Sequence, residues 1–521
     1  MYELLIGMMD KLIYVPEAGM VHPGLPSAWV LFVVSVMVMI GIYNIWRSTA
    51  QIKANIGFQF PLAVQYVKPF ITQPWVLFGL RLFAASVFLL VIYTGLFGTP
   101  IPERNLATVL TWTIWWSGVI ISIFFVGSAW CAICPWDAIA SWLVKRRLWK
   151  RGNETSSLNL KVPKLFRSVW PALLMFVGLT WLELGAGVTV SPYATALMAL
   201  LMVVLATISL AIYERKAFCR YFCAVGRTIG AYSSLAPVAL RPVNKSICAD
   251  CKTLECYHGT KDIEPCPTHL VMGRLTQNTY CTSCGACSMS CPEQNISWQL
   301  RGVGDEITHA ARPHWDEAWF IIGLVALTVF HGFTMMPYWE GWMQELAYMI
   351  GDSGQLLASF TIGMTVSMMI PIVLYFVCVY LTKILLKNKQ GFQRLFSVLA
   401  FSLLPLAFTY HIAHNLTHLV REGQGFWSVV LNPLGINALP LSMAELHDRH
   451  MNPLMGNDFV FFLQAMLVLF GFWLAVRISR QRLQLNISNH RRTVFLPVFI
   501  FISFISLVNL WLLMQPMIMR M

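Results

Sequence analysis

Long apolar stretches dominate this chain of 521 residues and restrict what it can fold into. A helix that crosses a membrane needs about 20 consecutive, mostly apolar residues, because the hydrocarbon layer is about 30 Å thick. Such stretches occur at about ten places, and only 12% of all residues are charged. They run over 28–46, 75–98, 107–130, 168–188, 193–214, 316–338, 355–382, 395–420, 458–477 and 493–516. The pattern predicts an all-α polytopic membrane protein with about ten transmembrane helices.

A polar segment, 215–315, separates the fifth apolar stretch from the sixth and is the largest soluble part of the chain. We therefore expect a soluble domain inserted between two membrane domains of five spans each. The predicted units are an N-terminal segment of 1–27, a membrane domain of 28–214, the inserted domain of 215–315 and a second membrane domain of 316–521.

Lysines and arginines are distributed unevenly between the apolar stretches. If the N-terminus lies outside and the spans alternate, 31 of the 37 basic residues lie on one side of the membrane. Basic residues accumulate on the cytoplasmic side of membrane proteins. The distribution predicts a multi-pass protein of a prokaryotic cytoplasmic membrane, with 1–27 outside and 215–315 in the cytoplasm. It also explains the net charge of +13 through topology and membrane lipid, so we expect no nucleic-acid partner.

Twelve of the 13 cysteines lie between Cys131 and Cys291, which indicates metal or cluster ligation in a reducing compartment. The strongest pattern is C-x2-C-x2-C-x3-C-P, which starts at Cys281 and is the spacing of bacterial two-cluster ferredoxins. In that spacing three thiolates bind one cluster and the fourth binds its partner. A matching half lies upstream and ends in Cys266-Pro267.

These spacings predict a ferredoxin-like domain with two [4Fe–4S] clusters. The first cluster is expected on what we call the first cysteine group, Cys248, Cys251, Cys256 and Cys291. The second is expected on the second cysteine group, Cys266, Cys281, Cys284 and Cys287. A pair of structural zinc sites is the alternative, because C-x2-C pairs also bind zinc.

Four further cysteines follow the third and fifth apolar stretches, in the sequences WCAICPWDAIASW and FCRYFCAVGRTIGAY. This span-end cysteine group consists of Cys131, Cys134, Cys219 and Cys223. The two contexts form a weak internal repeat, and repeated membrane units often build a shared site. We expect a third Fe–S centre, or a redox-active or copper-binding thiolate set. The alternative is that these residues pack as small buried hydrophobes.

Histidines in the last membrane domain are a second set of candidate ligands. His411, His414 and His418 lie on one face of the eighth span, and His331 lies in the sixth. Ionisable residues inside a membrane indicate function. The alternatives are a b-type haem, a non-haem metal such as copper, and hydrogen bonding between helices. Methionine-rich outer loops also suit copper, and Glu183 is a candidate for a proton step with quinol.

The span-end cysteine pairs, the sequence CRYFC followed by a glycine, and the two-cluster pattern resemble the membrane polyferredoxins of the NosR, NapH and CcoG type. The resemblance covers about residues 75–300, and the five spans of 316–521 lie outside it. It implies a redox subunit that passes electrons between a cytoplasmic donor or the quinone pool and a periplasmic metalloenzyme or its maturation. The CcoG resemblance implies copper reduction and delivery for oxidase assembly as an alternative. A membrane anchor subunit of a redox complex is a third interpretation.

Overall fold

Apolar helices make up most of the computed structural model, which describes residues 23–46, 60–61, 70, 72–146, 148, 157–386, 391–486 and 492–517. Most of the predicted N-terminal segment, 1–22, lies outside these ranges. Within them, nine helices are long and apolar enough to cross a membrane, and one apolar helix is shorter. In chain order the ten are α1 (Ser27–Trp46), α2 (Pro74–Phe97), α3 (Leu106–Val126), α4 (Trp170–Gly185), α5 (Pro192–Ile212), α6 (Trp315–Thr334), α7 (Leu357–Leu386), α8 (Phe392–Leu431), α9 (Asn457–Asn486) and α10 (Thr493–Met514). The chain therefore fits a mostly helical, multi-pass membrane protein.

The fourth predicted stretch, 168–188, forms α4, which is the shorter helix. It has 11 α-helical residues followed by a π-helical turn of five, Trp181–Gly185. At 1.5 Å per residue it extends for about 24 Å, less than the hydrocarbon thickness. The described residues therefore contain nine full-length candidate spans where the sequence predicted about ten.

The helices differ in how far other parts of the protein surround them. In the most apolar part of each helix, 83% of the residues are buried in α6 and 94% in α8, but only 22% in α1 and in α2. Lipid tails are as apolar as leucine side chains, so a peripheral helix can leave leucine and phenylalanine exposed. Helices α6 and α8 therefore lie at the centre of the bundle, while α1 and α2 have lipid-facing surfaces.

Three π-helical turns lie close to candidate functional residues. Val109–Trp115 lies within α3, Trp181–Gly185 carries Glu183, and Phe218–Phe222 carries Cys219. Such turns are rare and occur frequently at functional sites. The hydrophobic period of 3.6 residues, from which α-helices are predicted, does not reveal π-helical turns.

A small antiparallel sheet closes the cysteine-rich segment. Its strands are β1 (Phe60–Pro61), β2 (Val238–Pro242) and β3 (Ile296–Leu300), in the order β1-β3-β2. Pairing of Pro242 with Ile296 brings the two ends of the intervening loops together. Eight cysteines lie on these loops and on the short helices within them, which are Lys245–Asp250, Glu255–His258 and Ala286–Ser290.

Further short helices lie at both ends of the bundle. They are Trp130–Ile133, Pro135–Lys145, Ala224–Ser233, Trp339–Ile350 and Met443–Met451. Within α8 the chain is α-helical over Phe392–Ala400, Leu404–Glu422 and Phe426–Leu431, with 3-10 turns between these parts.

Buried charged groups attach the cysteine-rich segment to the membrane helices. Glu306 is 4% exposed and accepts hydrogen bonds from Arg241 at 2.6 Å and from the Asn278 backbone N–H at 2.7 Å. Arg301 also pairs with Glu306. Arg482 of α9 is buried and donates to three backbone carbonyl groups. Because buried charges are costly without partners, the Glu306 contacts stabilise the segment internally, and those of Arg482 hold it against the bundle.

Candidate functional site

The first cysteine group lies in the loops between β2 and β3. Burial, and then the thiols of Cys248, Cys251 and Cys291, raise the pKa of the Cys256 thiol. These four side chains therefore lie within electrostatic range of one another. Asn295, which directly precedes β3, donates from Nδ2 to Cys248 Sγ at 3.4 Å. The structure thus brings together the four residues that the sequence analysis assigned to one cluster.

The second cysteine group lies beside the first. Burial raises the pKa of the Cys287 thiol well above its usual range, and the thiols of Cys284, Cys281 and Cys266 raise it further. Cys256 of the first group also contributes to this rise. The two groups therefore adjoin each other.

Backbone groups in the loop of the second group face the sulfur atoms. The Ser283 N–H donates to Cys281 Sγ at 3.4 Å, and the Leu270 N–H donates to Cys266 Sγ at 3.3 Å. Gly285 adopts a φ of 74°, in the left-handed region that favours glycine. Hydrogen bonds of this kind stabilise thiolates and adjust the potentials of Fe–S clusters.

The spacing of these cysteines bears on the zinc alternative. Among the described residues, no group of three or more His, Cys, Asp or Glu side chains is arranged to hold a single metal ion. A tetrahedral zinc site with Zn–S bonds of about 2.3 Å needs sulfur atoms about 3.8 Å apart. A cubane cluster is larger and separates its ligands more widely, so a zinc ion and a cluster differ in the spacing of sulfur atoms that they need.

The span-end cysteine group is assembled from two parts of the chain. Cys131 and Cys134 lie on and after the helix Trp130–Ile133, and Cys223 directly precedes the helix Ala224–Ser233. Burial, followed by the other three thiols of the group, raises the pKa of Cys131 well above its usual range. The four cysteines therefore converge. A small cavity of about 30 Å³ lies beside Cys134, Cys219 and Cys223.

Three basic side chains lie near this group. Lys216 Nζ lies 2.5 Å from Asp137 Oδ2, and Arg81 lies 4.0 Å from the same oxygen. Arg227 is 5% exposed and stacks 4.2 Å over the ring of Tyr280, the residue before Cys281. Arg227 thus lies between the span-end group and the second cysteine group. A bond of 2.9 Å between the hydroxyls of Ser128 and Ser283 joins the same two regions.

The histidines form a hydrogen-bonded row along α8. His414 Nε2 lies 3.2 Å from His418 Nε2, and His418 Nδ1 lies 2.7 Å from Glu422 Oε1. Thr113 of α3 donates to the other oxygen of Glu422 at 3.2 Å. We call His414, His418 and Glu422 the histidine chain. Glu422 is missing from the sequence analysis, although its spacing of four residues after His418 on a predicted helix was a usable signal.

The remaining histidines take different positions. The His331 ring lies 4.9 Å from the His414 ring, measured between centroids. His411 points elsewhere, with its Nδ1 3.2 Å from the Tyr232 hydroxyl. A haem ligated by two histidines needs its porphyrin plane between their rings, whereas in this structure the rings of His331 and His414 contact each other directly. The described geometry also provides no three-residue set for a metal ion.

An apolar cavity of about 370 Å³ lies between the span-end group and the histidines. Cys134 lines one part of it and Glu183 another. Five tryptophans also line it, namely Trp112, Trp115, Trp116, Trp130 and Trp136. Glu183 and Trp116 also line a second cavity of about 30 Å³ beside His331, Tyr410, His411 and His414. The tryptophans are missing from the sequence analysis, although the run WTIWW at 112–116 was a signal.

Aromatic rings connect the two ends of this region. Ring centroids lie 6.0 Å apart for Trp136 and Trp115, 6.0 Å for Trp115 and Trp116, and 5.6 Å for Trp116 and His411. Tyr232 continues the row, 5.9 Å from His411. The span-end group and the histidines, which the sequence analysis treated separately, are therefore parts of one connected region.

Comparison with known proteins gives one partial similarity. The chain is 26% identical over 141 residues to "Putative electron transport protein YccM" of Escherichia coli (strain K12). The match covers 26% of this chain and 36% of that relative, so it spans about a third of the relative's length. No family model matches the chain, and no solved structure matches it.

Proposed function

We propose that this protein is a membrane electron-transfer protein that carries two [4Fe–4S] clusters. The grouping of eight cysteines into two adjoining sets of four carries the proposal, because the sets are those that ferredoxin spacing requires. The similarity to a relative named as an electron transport protein supports the same general role. The clusters would exchange electrons between a cytoplasmic donor or the quinone pool and a periplasmic acceptor.

Contacts between the cysteine groups support a continuous path for electrons. Cys256 and Cys287 link the first group to the second. The loop of the second group contacts Arg227, which interacts electrostatically with Cys131 of the span-end group. A third Fe–S centre on the span-end group would extend the path to the membrane boundary.

The apolar cavity supports the quinone pool as one exchange partner. Its volume of about 370 Å³ falls in the range of small-molecule sites, about 300–1,000 Å³. Leu80 and Phe83 line it and are 47% and 70% exposed on the lipid-facing side of α2. A lipid-soluble carrier could enter between them without crossing water. Its headgroup would then lie between Cys134 and Glu183.

Metal and sulfide analysis of the purified full-length chain tests the proposal. Two clusters predict about eight iron atoms and about eight acid-labile sulfides per chain, and a third cluster predicts about twelve of each. We expect C251S and C284S each to lose roughly half of the iron of the two-cluster domain. Zinc in place of iron, or no sulfide, would contradict the proposal.

The matched control is C378S. Cys378 is buried within α7 and belongs to none of the three cysteine groups. We expect this variant to keep the full iron and sulfide content. Loss of iron in C378S would mean that the losses in the other variants reflect general instability.

A second candidate function is reduction and delivery of copper for oxidase assembly. The convergence of four thiols in the span-end group favours it, because thiolates suit Cu(I). The same analysis decides between the two: copper that is retained by the unaltered chain and lost in C134S supports delivery, whereas additional iron and sulfide lost in C134S support a third cluster.

A further inference from the structure

We propose that the histidine chain passes protons between the intramembrane cavity and the end of the bundle opposite the cysteine-rich segment. The inference rests on the proposed function, in which a hydroquinone carrier enters the cavity. It assigns His414, His418 and Glu422 to proton transfer instead of haem or metal binding.

The geometry of the chain suits transfer through imidazole rings. An imidazole can accept a proton at one nitrogen and release one from the other. His414 and His418 face each other through their Nε2 atoms at 3.2 Å, so one donates to the other. His418 uses its second nitrogen to contact Glu422 at 2.7 Å. Each group therefore has a neighbour within hydrogen-bond distance on the side where a proton would leave.

The inner end of the chain borders the small cavity of about 30 Å³, which shares Glu183, Trp116 and Thr180 with the larger cavity. His414 is 2% exposed, and its Nδ1 has no hydrogen-bond partner. The Tyr410 hydroxyl is also buried and without a partner, and both residues line the small cavity beside Glu183. A buried polar group without a partner costs about 1–3 kcal/mol. A hydroquinone whose ring lies in the larger cavity would supply a missing partner if one of its hydroxyl groups reaches past Glu183 into the small cavity.

The opposite end of the chain lies beside the short helix Met443–Met451. The His418 side chain is 15% exposed, whereas that of Glu422 is 7% exposed. Glu422 ends the helical segment Leu404–Glu422 and is followed by the connection to Met443–Met451. Arg449 on that short helix packs beside Gly425 and interacts electrostatically with Glu422. A proton that reaches Glu422, which is itself buried, therefore lies beside a short helix most of whose described side chains are exposed.

Other titratable groups surround the inner end of the histidine chain. Those that line the small cavity with His414 are Glu183 of α4, His331 of α6, and Tyr410 and His411 of α8. Tyr232 contacts His411 from the helix Ala224–Ser233. The contacts that lead from His414 toward Glu422 are those of the histidine chain itself.

The chemistry balances for a hydroquinone. Its oxidation to the quinone breaks two O–H bonds and releases two protons and two electrons. His414 Nδ1 accepts one proton, and the chain passes it through His418 to Glu422. The Glu183 carboxylate, which borders both cavities, accepts the other. The electrons pass to the thiolate-bound iron centres of the proposed function.

The test uses the full-length iron-loaded protein in liposomes and a decyl-substituted benzohydroquinone. Stopped-flow absorbance of a pH dye reports proton release, cluster absorbance reports reduction, and tryptophan fluorescence reports binding in the tryptophan-lined cavity. We expect H418Q and E422Q to slow proton release about a hundredfold while iron content and hydroquinone binding stay unchanged. E422D, which keeps a carboxylate, should recover part of the rate.

The control is H447Q, because His447 lies exposed on the helix Met443–Met451, outside the histidine chain. It should release protons as the unaltered protein does. An unchanged rate of proton release in both H418Q and E422Q would overturn the inference. A full rate in E422Q together with a reduced rate in E422D would also overturn it, because that result indicates a structural role for Glu422. If the iron-loaded protein binds no hydroquinone, the inference is also overturned, but the proposed function with a cytoplasmic electron donor is not. Absence of iron and sulfide overturns the proposed function itself.

Discussion

Arg227 is a buried cation beside the span-end cysteine group. Burial raises the pKa of Cys131, Cys219 and Cys223, and the Arg227 guanidinium opposes that rise in each case. A positive charge favours the thiolate form, and it would likewise stabilise the more negative, reduced state of a centre bound there. Arg227 therefore contributes both a positive charge beside the span-end cysteine group and a packing contact with the ring of Tyr280.

At this scale we expect R227Q to lower the reduction potential of a centre on the span-end group, because a nearby positive charge is lost. Redox titration followed by electron paramagnetic resonance measures the change. R477Q is the control, since Arg477 stacks over Trp473 on α9, outside the cysteine groups. An unchanged potential in R227Q, with the centre still bound, would contradict the prediction.

At the scale of elements, the pair Asp137–Lys216 joins the helix Pro135–Lys145 to the residues that directly precede the turn Phe218–Phe222. Burial disfavours the charged form of Asp137, but Lys216 and Arg81 outweigh it and lower its pKa. A carboxylate whose pKa is lower in the folded state stabilises the protein above its unfolded pKa, about 3.9. That contribution is lost as the pH falls through the lower folded value.

We expect D137N to lower the free energy of unfolding by about 3–5 kcal/mol at pH 7, because Lys216 remains buried without its partner. The difference from the unaltered protein should shrink at acidic pH, where Asp137 also becomes neutral. Thermal and denaturant unfolding in detergent measure both effects. R104Q is the control: Arg104 pairs with Glu445, which is 47% exposed, so its loss should cost about 0–1 kcal/mol. An equal loss of unfolding free energy in D137N and R104Q would contradict this account.

At the scale of the whole molecule, the arrangement of basic residues predicts that the cysteine-rich segment lies in the cytoplasm. We expect a protease site inserted at the helix Lys245–Asp250 to be cut in inside-out vesicles and protected in intact spheroplasts. A site inserted at Met443–Met451 should show the reverse pattern. Immunoblotting of the fragments measures both, and the opposite pattern would contradict the predicted orientation.

The sequence by itself determined the parts of this protein that depend on local pattern. Apolar length predicts a spanning helix, since the membrane imposes one thickness, and nine full-length candidates occur near predicted positions. The spacing of the cysteines predicted which of them approach one another. Short loops restrict where such side chains can lie, so the local sequence of 248–291 determines which cysteines form each of the two groups.

Only the tertiary structure decided which distant residues meet. His331 contacts His414 because α6 and α8 pack at the centre of the bundle, and Glu183 joins them through the π-helical end of α4. These residues are separated by up to 231 positions of chain, and no local period relates them. The cavity likewise exists only between packed helices. The grouping of the cysteines could thus be predicted from the sequence, whereas the cavity and the proposed proton route depended on helix packing.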